Sequence, residues 1–279
     1  MKNALVFDID NTLTPPRRPI EKEMADILKG LEIPFFLVAG SDLPLIKDQF
    51  IHPMHEFGFR GEFDGFLCNG ATRYRCKFSD TISIETIRDF DFREYLGEDD
   101  FKFMLSVIED TLNMKEFKLP PPMVVLGKQI TFRHSMVNVA PIGRPEGKLS
   151  EEAYRNRDEL VKHDKETGIR RKMLAHLNEK LARLREEKKL FISLGGETSF
   201  DIVIEGNDKS YAIDTLLNEG FEELLFLGDA LFEGGNDEAI LHYINKWPKD
   251  KHCPVQAIPV SNWRETIEHL NKLGFIPQA

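Results

Sequence analysis

Two carboxylates close the first apolar segment of this chain, and their position constrains its fold more than any other feature. Asp8 and Asp10 stand two residues apart, directly after the apolar residues 4–7. Alternate residues of a strand share a face, so both acids can project past the carboxyl edge of a buried sheet. Open α/β sheets hold their ligands at that edge. The segment therefore predicts an α/β fold with its site beside the first strand.

The two acids suit phosphoryl transfer through an aspartyl-phosphate. In that chemistry one carboxylate attacks phosphorus, the other moves a proton, and a divalent cation offsets the charge that they share. The alternative is a strand end that carries two solvated acids. Later segments of the chain favour the first interpretation, because they supply the other groups that the chemistry requires.

Two further groups that phosphoryl transfer requires, a hydroxyl and a lysine, follow the two acids along the chain. Residues 33–39 predict a second buried strand that leads to Ser41. The hydroxyl of Ser41 and the turn around it can hydrogen-bond a phosphoryl oxygen, although a serine there is also an ordinary helix cap. Residues 207–210 open a helix predicted over residues 211–219 and put Lys209 at its beginning, where the helix dipole disfavours a cation. A phosphate facing Lys209 explains this position better than solvent does.

Oxygen ligands for a metal ion cluster near the end of the chain. Residues 224–228 predict a further apolar strand, which ends at Asp229. Asn236 and Asp237 follow on a glycine-containing loop. Acids and carbonyl oxygens on loops at strand ends are hard ligands that suit Mg²⁺. We therefore expect Mg²⁺ to bind at this edge of the sheet.

Composition excludes several classes of protein. The chain has 279 residues, 41% hydrophobic content and a net charge of −10, which argues against a nucleic-acid partner. No stretch of about 18 apolar residues could span a bilayer, and no apolar targeting segment precedes the first strand, so we expect no membrane association. Cys68, Cys76 and Cys253 are far apart and lack metal-ligand spacing. A reduced, cytoplasmic protein is the simplest interpretation.

The apolar pattern changes character twice and predicts two domains. Residues 1–82 and 206–279 alternate buried strands with helices, as a doubly wound parallel-sheet domain does. Residues 83–205 contain short alternating strands and a charged helical stretch, which predicts an inserted α+β cap domain on an antiparallel sheet with one helix-covered face. The strands predicted for the first core segment cover residues 4–8, 33–39 and 66–69, and those of the cap cover residues 129–134, 137–141, 190–194 and 199–204.

Together these segments resemble the haloacid dehalogenase superfamily of aspartate-nucleophile phosphotransferases, and within it the eukaryotic-type phosphomannomutases. The acids, serine and lysine alone specify only the superfamily. The cap stretches are far more specific to the phosphomannomutases. The supporting stretches are residues 8–17 (DIDNTLTPPR), 132–144 (FRHSMVNVAPIGR), 195–209 (GGETSFDIVIEGNDK) and 228–240 (GDALFEGGNDEAI).

The resemblance gives the polar face of the cap sheet a function. Strand alternation alone places Phe200 and Ile202 on one face and Ser199 and Asp201 on the other, and such a polar face can simply meet water. In phosphomannomutases the corresponding face closes over the active site and binds the sugar and its distal phosphate. The residues at matching positions are Arg133, Asn138, Arg144, Ser199 and Asp201 in the cap and Arg17 in the core.

Two positions depart from the family pattern. Asn11 stands where a glycine is usual, but asparagine readily adopts positive φ. The family also carries a further phosphate-binding arginine, and reading forward from Arg144 at the family's spacing reaches Glu151. Counting back from residues 163–165, which look like the family's Leu-Asp-Lys, reaches Arg157 instead. We prefer Arg157, with Arg155 as the second choice, because a phosphate requires a cation.

The resemblance implies a Mg²⁺-dependent sugar-phosphate phosphotransferase that interconverts mannose 6-phosphate and mannose 1-phosphate. Asp8 would be the nucleophile, Asp10 the general acid/base, and Ser41 and Lys209 would steady the phosphoryl group. Mg²⁺ would be held by Asp8, the Asp10 carbonyl and Asp229, with Asn236 and Asp237 nearby. A hexose 1,6-bisphosphate would phosphorylate Asp8, and a homodimer would form through the cap.

Two other functions are compatible with the same scaffold. A sugar-phosphate phosphatase uses the same core chemistry but lets water hydrolyse the aspartyl-phosphate, and it requires only one phosphate site. A non-catalytic binding protein would be expected to have lost Asp8, Asp10 or Lys209, and all three are present. The sequence leaves open whether the sugar is mannose or glucose.

Overall fold

The computed structural model describes residues 2–145, 150–195, 197–232 and 235–276. Gly196 and Gly234, which belong to the motifs above, lie outside these ranges. The chain forms two compact units. The core unit consists of Met1–Asp89 and Gly206–Ala279, and the cap unit consists of Phe90–Glu205.

The strands of the described residues belong to two separate sheets. In chain order they are β1 (Asn3–Phe7), β2 (Phe35–Val38), β3 (Gly61–Leu67), β4 (Thr72–Phe78), β5 (Ile82–Asp89), β6 (Lys128–Arg133), β7 (Met136–Arg144), β8 (Leu190–Gly195), β9 (Ser199–Ile204), β10 (Glu223–Gly228) and β11 (Val255–Pro259). The core sheet has the order β11-β10-β1-β2-β3-β4-β5, and the cap sheet has the order β6-β7-β9-β8.

The helices of the described residues are α1 (Lys22–Lys29), α2 (Leu43–Ile46), α3 (His52–Glu56), α4 (Phe92–Leu96), α5 (Glu98–Asn113), α6 (Glu151–Thr167), α7 (Ile169–Lys180), α8 (Ala182–Glu187), α9 (Ser210–Asn218), α10 (Glu238–Lys246) and α11 (Trp263–Lys272). A π-helical segment, Lys47–Ile51, joins α2 to α3. A short 3₁₀ turn, Lys115–Phe117, follows α5.

The core sheet is mixed rather than purely parallel. Strands β11, β10, β1, β2 and β3 run parallel, whereas β4 and β5 are antiparallel additions at one edge. The sequence interpretation did not contain these two edge strands. Because β5 pairs with β4 along its length, the core unit continues to Asp89, beyond the boundary after residue 82 that the sequence suggested.

The sequence predicted a strand over residues 66–69, and both boundaries of that prediction are wrong. Strand β3 begins at Gly61 and ends at Leu67. Cys68 and Asn69 have φ angles of 51° and 58°, so the backbone leaves the extended conformation there. These two residues form the turn that leads to β4.

The side chains of β1 pack alternately into two apolar layers, and this packing fixes the position of Asp8. Leu5 and Phe7 pack with Met24 of α1 and Leu270 of α11, on one face of the sheet. Ala4 and Val6 belong to the layer of α9 and α10 on the other face. Burying a side chain such as Phe7 contributes about 1.5–3 kcal/mol. The strand is therefore held on both faces, and Asp8 follows it at the carboxyl edge.

The cap sheet confirms the alternation expected from the sequence. Val137, Val139, Phe200 and Ile202 are buried in one apolar cluster that includes residues of α5 and α7. On the opposite face the register aligns side chains of four adjacent strands: Thr131, Asn138, Asp201 and Ser193. The α/β core with a cap built on an antiparallel sheet is thus confirmed.

Within the described ranges, every helix is too short or too polar to cross a bilayer.

Candidate active site

The site is built around a buried lysine that bridges two carboxylates. Lys209 Nζ donates to Asp8 Oδ1 and to Asp237 Oδ1, each at 2.5 Å. The exposed fractions of these three side chains are 0% for Lys209, 4% for Asp8 and 0% for Asp237. A lysine is almost never buried to this extent unless its charge is paired. The sequence predicted a phosphate opposite Lys209, and in the structure its ammonium is paired with these two carboxylates.

The geometry follows from the order of the strands. Strands β1 and β10 are parallel neighbours, and Asp8 N donates to Leu227 O at 2.9 Å. The loops after these strands therefore emerge side by side. Lys209 directly precedes α9 and has helical backbone angles.

A third acid completes a cluster that fits a divalent cation. Ligand oxygens of Asp8, Asp229 and Asp237 all lie within 4.8 Å of one another. In their ionised forms the three carboxylates carry one negative charge each, and Lys209 offsets only one of them. The remaining charge and the all-oxygen donor set match what Mg²⁺ binds. These residues therefore fit the expected metal site, and Asp10 contributes no side-chain oxygen to the cluster.

Burial dominates the electrostatics of these groups. Burial raises the pKa of Asp8 to about 7, although the Lys209 ammonium opposes this shift. The Asp237 carboxylate raises the pKa of Asp8 further. Burial also raises the pKa of Asp229, and a hydrogen bond from Asn11 opposes that shift. For Lys209 burial acts to lower the pKa, but Asp8 and Asp237 outweigh it and raise the pKa above its ordinary value.

Asp10 is held apart from this cluster by a residue that sequence reasoning missed. Gln49 Nε2 donates to Asp10 Oδ1 at 2.5 Å and to Thr14 Oγ1 at 2.7 Å. The Arg17 backbone N–H donates to the same Asp10 oxygen at 2.8 Å, and Arg17 Nε lies 3.6 Å from the other oxygen. Gln49 is buried within the π-helical segment, and such segments occur often at functional sites. The available sequence signal was a polar residue directly before the buried Phe50 and Ile51.

Ser41 and Asn236 lie on loops at the same edge of the sheet. Ser41 follows β2, the strand next to β1, and its carbonyl accepts from Cys68 N at 3.0 Å. Asp42, rather than Ser41, caps α2, because its side chain accepts from Leu45 N. Asn236 directly precedes Asp237, and its side-chain amide lies beside the turn after β2, since Asn236 Nδ2 would be 3.7 Å from a Cβ placed on Gly40.

Four of the predicted cap residues are joined by hydrogen bonds on the polar face of the cap sheet. Asn138 Nδ2 donates to Asp201 Oδ1 at 2.6 Å and to Ser199 Oγ at 3.2 Å. Arg144 Nε donates to Asn138 Oδ1 at 2.6 Å, and a terminal nitrogen of Arg144 lies 3.3 Å from Ser199 Oγ. This network orients the guanidinium of Arg144.

The other two predicted cap arginines lie outside the hydrogen bonds of this network. Arg157 is on α6 and donates to Glu197 Oε2 at 2.8 Å, with 46% of its side chain exposed. Arg133 ends β6 and is exposed. The structure therefore gathers Asn138, Arg144, Ser199 and Asp201 but places Arg133 and Arg157 at the surface of the cap unit.

Sequence comparison identifies relatives along most of the chain. A family model described as eukaryotic phosphomannomutase matches residues 22–254. Phosphomannomutase of Arabidopsis thaliana is 35% identical over 239 residues, which cover 84% of this chain and 85% of the relative. Phosphomannomutase 1 of Dictyostelium discoideum is 34% identical over 242 residues, covering 84% and 85%. The range matched by the family model begins after Asp8 and Asp10.

Comparison with solved structures supports the fold. An IMP-nucleotidase from Plasmodium falciparum superposes with a TM-score of 0.62 at 14% identity, covering 97% of this chain and 68% of that one. The C-terminal domain of a C. albicans trehalose-6-phosphate phosphatase gives a TM-score of 0.53 at 13% identity, covering 98% and 92%. At these identities the likeness concerns the fold alone.

Proposed function

The chain belongs to the eukaryotic phosphomannomutase family, and we propose that it is a Mg²⁺-dependent phosphotransferase that interconverts mannose 6-phosphate and mannose 1-phosphate. The observation that carries the proposal is the buried Lys209 between Asp8 and Asp237, with Asp229 beside them. A buried carboxylate held by a fixed ammonium at a strand end is suited to attack phosphorus.

Asp8 is the proposed nucleophile. Lys209 fixes one of its oxygens, which leaves the other oxygen to attack the phosphoryl group and form an aspartyl-phosphate. The low exposure of Asp8 limits the access of water to that intermediate. Mg²⁺, held by Asp8, the Asp10 carbonyl, Asp229 and Asp237 with Asn236 nearby, would neutralise charge on the transferring group.

Asp10 is the proposed general acid/base. Its carboxylate accepts hydrogen bonds from Gln49 and from the Arg17 backbone, which hold it in one orientation. When protonated, a carboxyl group fixed in this way can donate its proton to the leaving oxygen, and the carboxylate that results can later take the proton of the attacking hydroxyl. Ser41, at the same sheet edge, is proposed to donate to a phosphoryl oxygen together with Lys209.

The sugar and the distal phosphate are proposed to bind polar residues of the cap unit, and Arg17 of the core unit is a further proposed substrate-binding residue. The hydrogen-bonded network around Arg144 supports this assignment, because it presents an oriented guanidinium together with hydroxyl and carboxylate groups. Phosphates are bound well by such planar, multiply donating groups. The proposed substrate-binding residues are Arg17, Arg133, Asn138, Arg144, Arg157, Ser199 and Asp201.

We further propose that a hexose 1,6-bisphosphate primes the enzyme by phosphorylating Asp8. The aspartyl-phosphate would then phosphorylate the hexose monophosphate substrate at its free position, and the resulting bisphosphate would turn around and donate its other phosphate to Asp8, which leaves the isomeric monophosphate. The product ratio tests this proposal against simple hydrolysis. In an assay with mannose 1-phosphate, Mg²⁺ and a trace of hexose bisphosphate, we expect mannose 6-phosphate to form faster than free phosphate. Release of free phosphate alone would favour a phosphatase instead.

Removing the metal is expected to abolish activity. Three carboxylates with one ammonium leave excess negative charge that would repel a phosphate ester. Treatment with EDTA is expected to stop turnover, and excess Mg²⁺ is expected to restore it. Ca²⁺ is the control ion and is expected not to restore turnover, because it accepts looser geometry and more ligands than in-line transfer tolerates. Full activity in the presence of the chelator would contradict the proposed role of the metal.

Loss of a cap arginine is expected to harm isomerisation more than hydrolysis. A hydrogen bond to a charged group is worth about 1.5–3 kcal/mol, so Arg144→Ala or Arg157→Ala is expected to lower mutase turnover roughly ten- to a hundredfold or more. Hydrolysis of p-nitrophenyl phosphate, which has no distal phosphate, is expected to change little.

The substitution Arg155→Ala tests the second choice for the third cap arginine, an exposed residue on the same helix as Arg157. A loss of mutase turnover in Arg155→Ala, with none in Arg157→Ala, would assign the third cap arginine to Arg155. If Arg144→Ala reduced both reactions equally, the proposed distal phosphate site would be refuted.

We propose that the protein is cytoplasmic and forms a homodimer. Within the described residues the cysteines form no disulfide bond, which supports the reducing cytoplasm as the compartment. We also propose a homodimer formed through the cap. Its support is the family resemblance. Light scattering of the purified chain would measure the dimer directly.

A further inference from the structure

The loop after β1 reaches across to the loop after β10 through one side chain. Asn11 Nδ2 donates to Asp229 Oδ2 at 2.8 Å, and the bond is partly buried. Asn11 has a φ of 60°, a left-handed conformation that asparagine and glycine tolerate better than other residues. The bond forms because β1 and β10 are parallel neighbours, with Phe7 aligned to Leu227.

This bond gives the third carboxylate of the cluster its own partner. Lys209 holds Asp8 and Asp237. Asn11 holds Asp229. A carboxylate has two oxygens, so a donor fixed on Oδ2 leaves Oδ1 for a cation and stops the group from rotating. A glycine, which is usual at this position in the family, allows the same turn but has no side-chain donor.

We propose that Asn11 is a positioning residue for Asp229, which it preorganises to bind the divalent cation. This inference rests on the proposed function, because it requires a cation at the cluster of Asp8, Asp229 and Asp237. Hydrogen-bond partners of metal-ligating carboxylates typically change metal affinity by about 10–100-fold. The competing explanation is that Asn11 serves only the turn, for which glycine would do equally well.

The substitution Asn11→Gly separates the two explanations. Glycine keeps the φ of 60° without strain and removes only the donor to Asp229. Mg²⁺ alone is titrated into the full-length wild type and the variant by isothermal titration calorimetry, without substrate. We expect the Kd for Mg²⁺ to rise about tenfold or more in the variant. At saturating Mg²⁺ its kcat is expected to approach that of the wild type.

The matched control is Lys189→Gly, which makes the same change at a left-handed residue of the cap unit, where φ is 56°. It is expected to leave the Kd for Mg²⁺ unchanged. Equal Mg²⁺ affinity in Asn11→Gly and wild type would overturn the role of Asn11 while leaving the proposed function intact. Absence of Mg²⁺ binding by the wild type itself would overturn the proposed metal site as well.

Discussion

Asp8→Asn is expected to abolish phosphoryl transfer while leaving the fold intact. An amide cannot form the acyl-phosphate, so isomerisation and hydrolysis are expected to fall together by about 10⁴-fold or more. The asparagine is nearly isosteric, and its side-chain oxygen can still accept from Lys209. Circular dichroism and thermal unfolding in the presence of EDTA would verify the fold, and the mannose 1-phosphate assay would measure the loss.

Asp10→Asn is the matched control in the same segment. Proton transfer contributes about 10²–10⁴-fold to such reactions, so this variant is expected to be slow rather than inactive. Substantial turnover by Asp8→Asn would remove Asp8 from the role of nucleophile. An unchanged rate in Asp10→Asn would likewise remove Asp10 from proton transfer.

Lys209→Met is expected to cause the largest loss of stability among single substitutions in the site. Methionine fills a similar volume but leaves the buried carboxylates of Asp8 and Asp237 without their cation. Breaking a buried ion pair from one side costs about 3–5 kcal/mol. Urea unfolding in EDTA at pH 8 would measure this decrease in the free energy of unfolding, and we also expect the variant to lose activity.

The stability deficit of Lys209→Met is expected to shrink as the pH falls from 8 to 5. Burial already raises the pKa of Asp8 to about 7 in the presence of Lys209, and removal of the ammonium raises it further. A carboxyl with a raised folded-state pKa stabilises the fold below its unfolded pKa, and this stabilisation is lost as the pH rises through the folded pKa. Acidification therefore helps the variant more than the wild type.

An exposed lysine provides the control for this substitution. Lys22 contacts Asp26 at the same 2.5 Å distance, but 68% of its side chain is exposed. Lys22→Met is expected to leave the free energy of unfolding nearly unchanged, because solvent screens such pairs. If Lys209→Met were as stable as Lys22→Met at pH 8, the buried charge cluster would not have the energetic role assigned to it.

The carboxyl edge of the core could be predicted from the sequence because strands β1 and β10 contain the apolar runs 4–7 and 224–227. An aspartate, Asp8 or Asp229, follows each strand, and parallel strands bring such ends to one edge. The cap strands could be predicted equally well, since apolar and polar residues alternate in β9. Local pattern and tertiary structure agree in these segments.

The edge strands of the core were missed although β4 has the alternating pattern of a half-buried strand. Its polar positions are all cations, Arg73, Arg75 and Lys77, which on their own suggest a solvated segment. In the structure Asp64 of β3 pairs with Arg73 at 2.6 Å and with Arg75 at 2.9 Å. Such partners neutralise the buried charge, and they become visible only once the two strands are aligned.

The supporting residues of the site were missed for a similar reason. Gln49 contacts Asp10 from 39 positions away in the chain, and Asn11 contacts Asp229 from 218 positions away. Neither residue has a short motif of its own, because each acts through the packing of distant segments. The sequence indicated only that Asn11 suits a turn with positive φ. Its hydrogen bond to Asp229 became evident once β1 and β10 were seen to be neighbours.

Direct detection of the phosphorylated residue tests the central claim of aspartyl-phosphate transfer. The enzyme would be mixed briefly with Mg²⁺ and isotopically labelled hexose 1,6-bisphosphate, quenched in acid and digested for mass spectrometry. We predict one hydroxylamine-labile phosphoryl group on the peptide that contains Asp8, its absence in Asp8→Asn, and its transfer to mannose phosphate in a chase. A label on Ser41, or continued turnover with no label on the chain, would contradict the account.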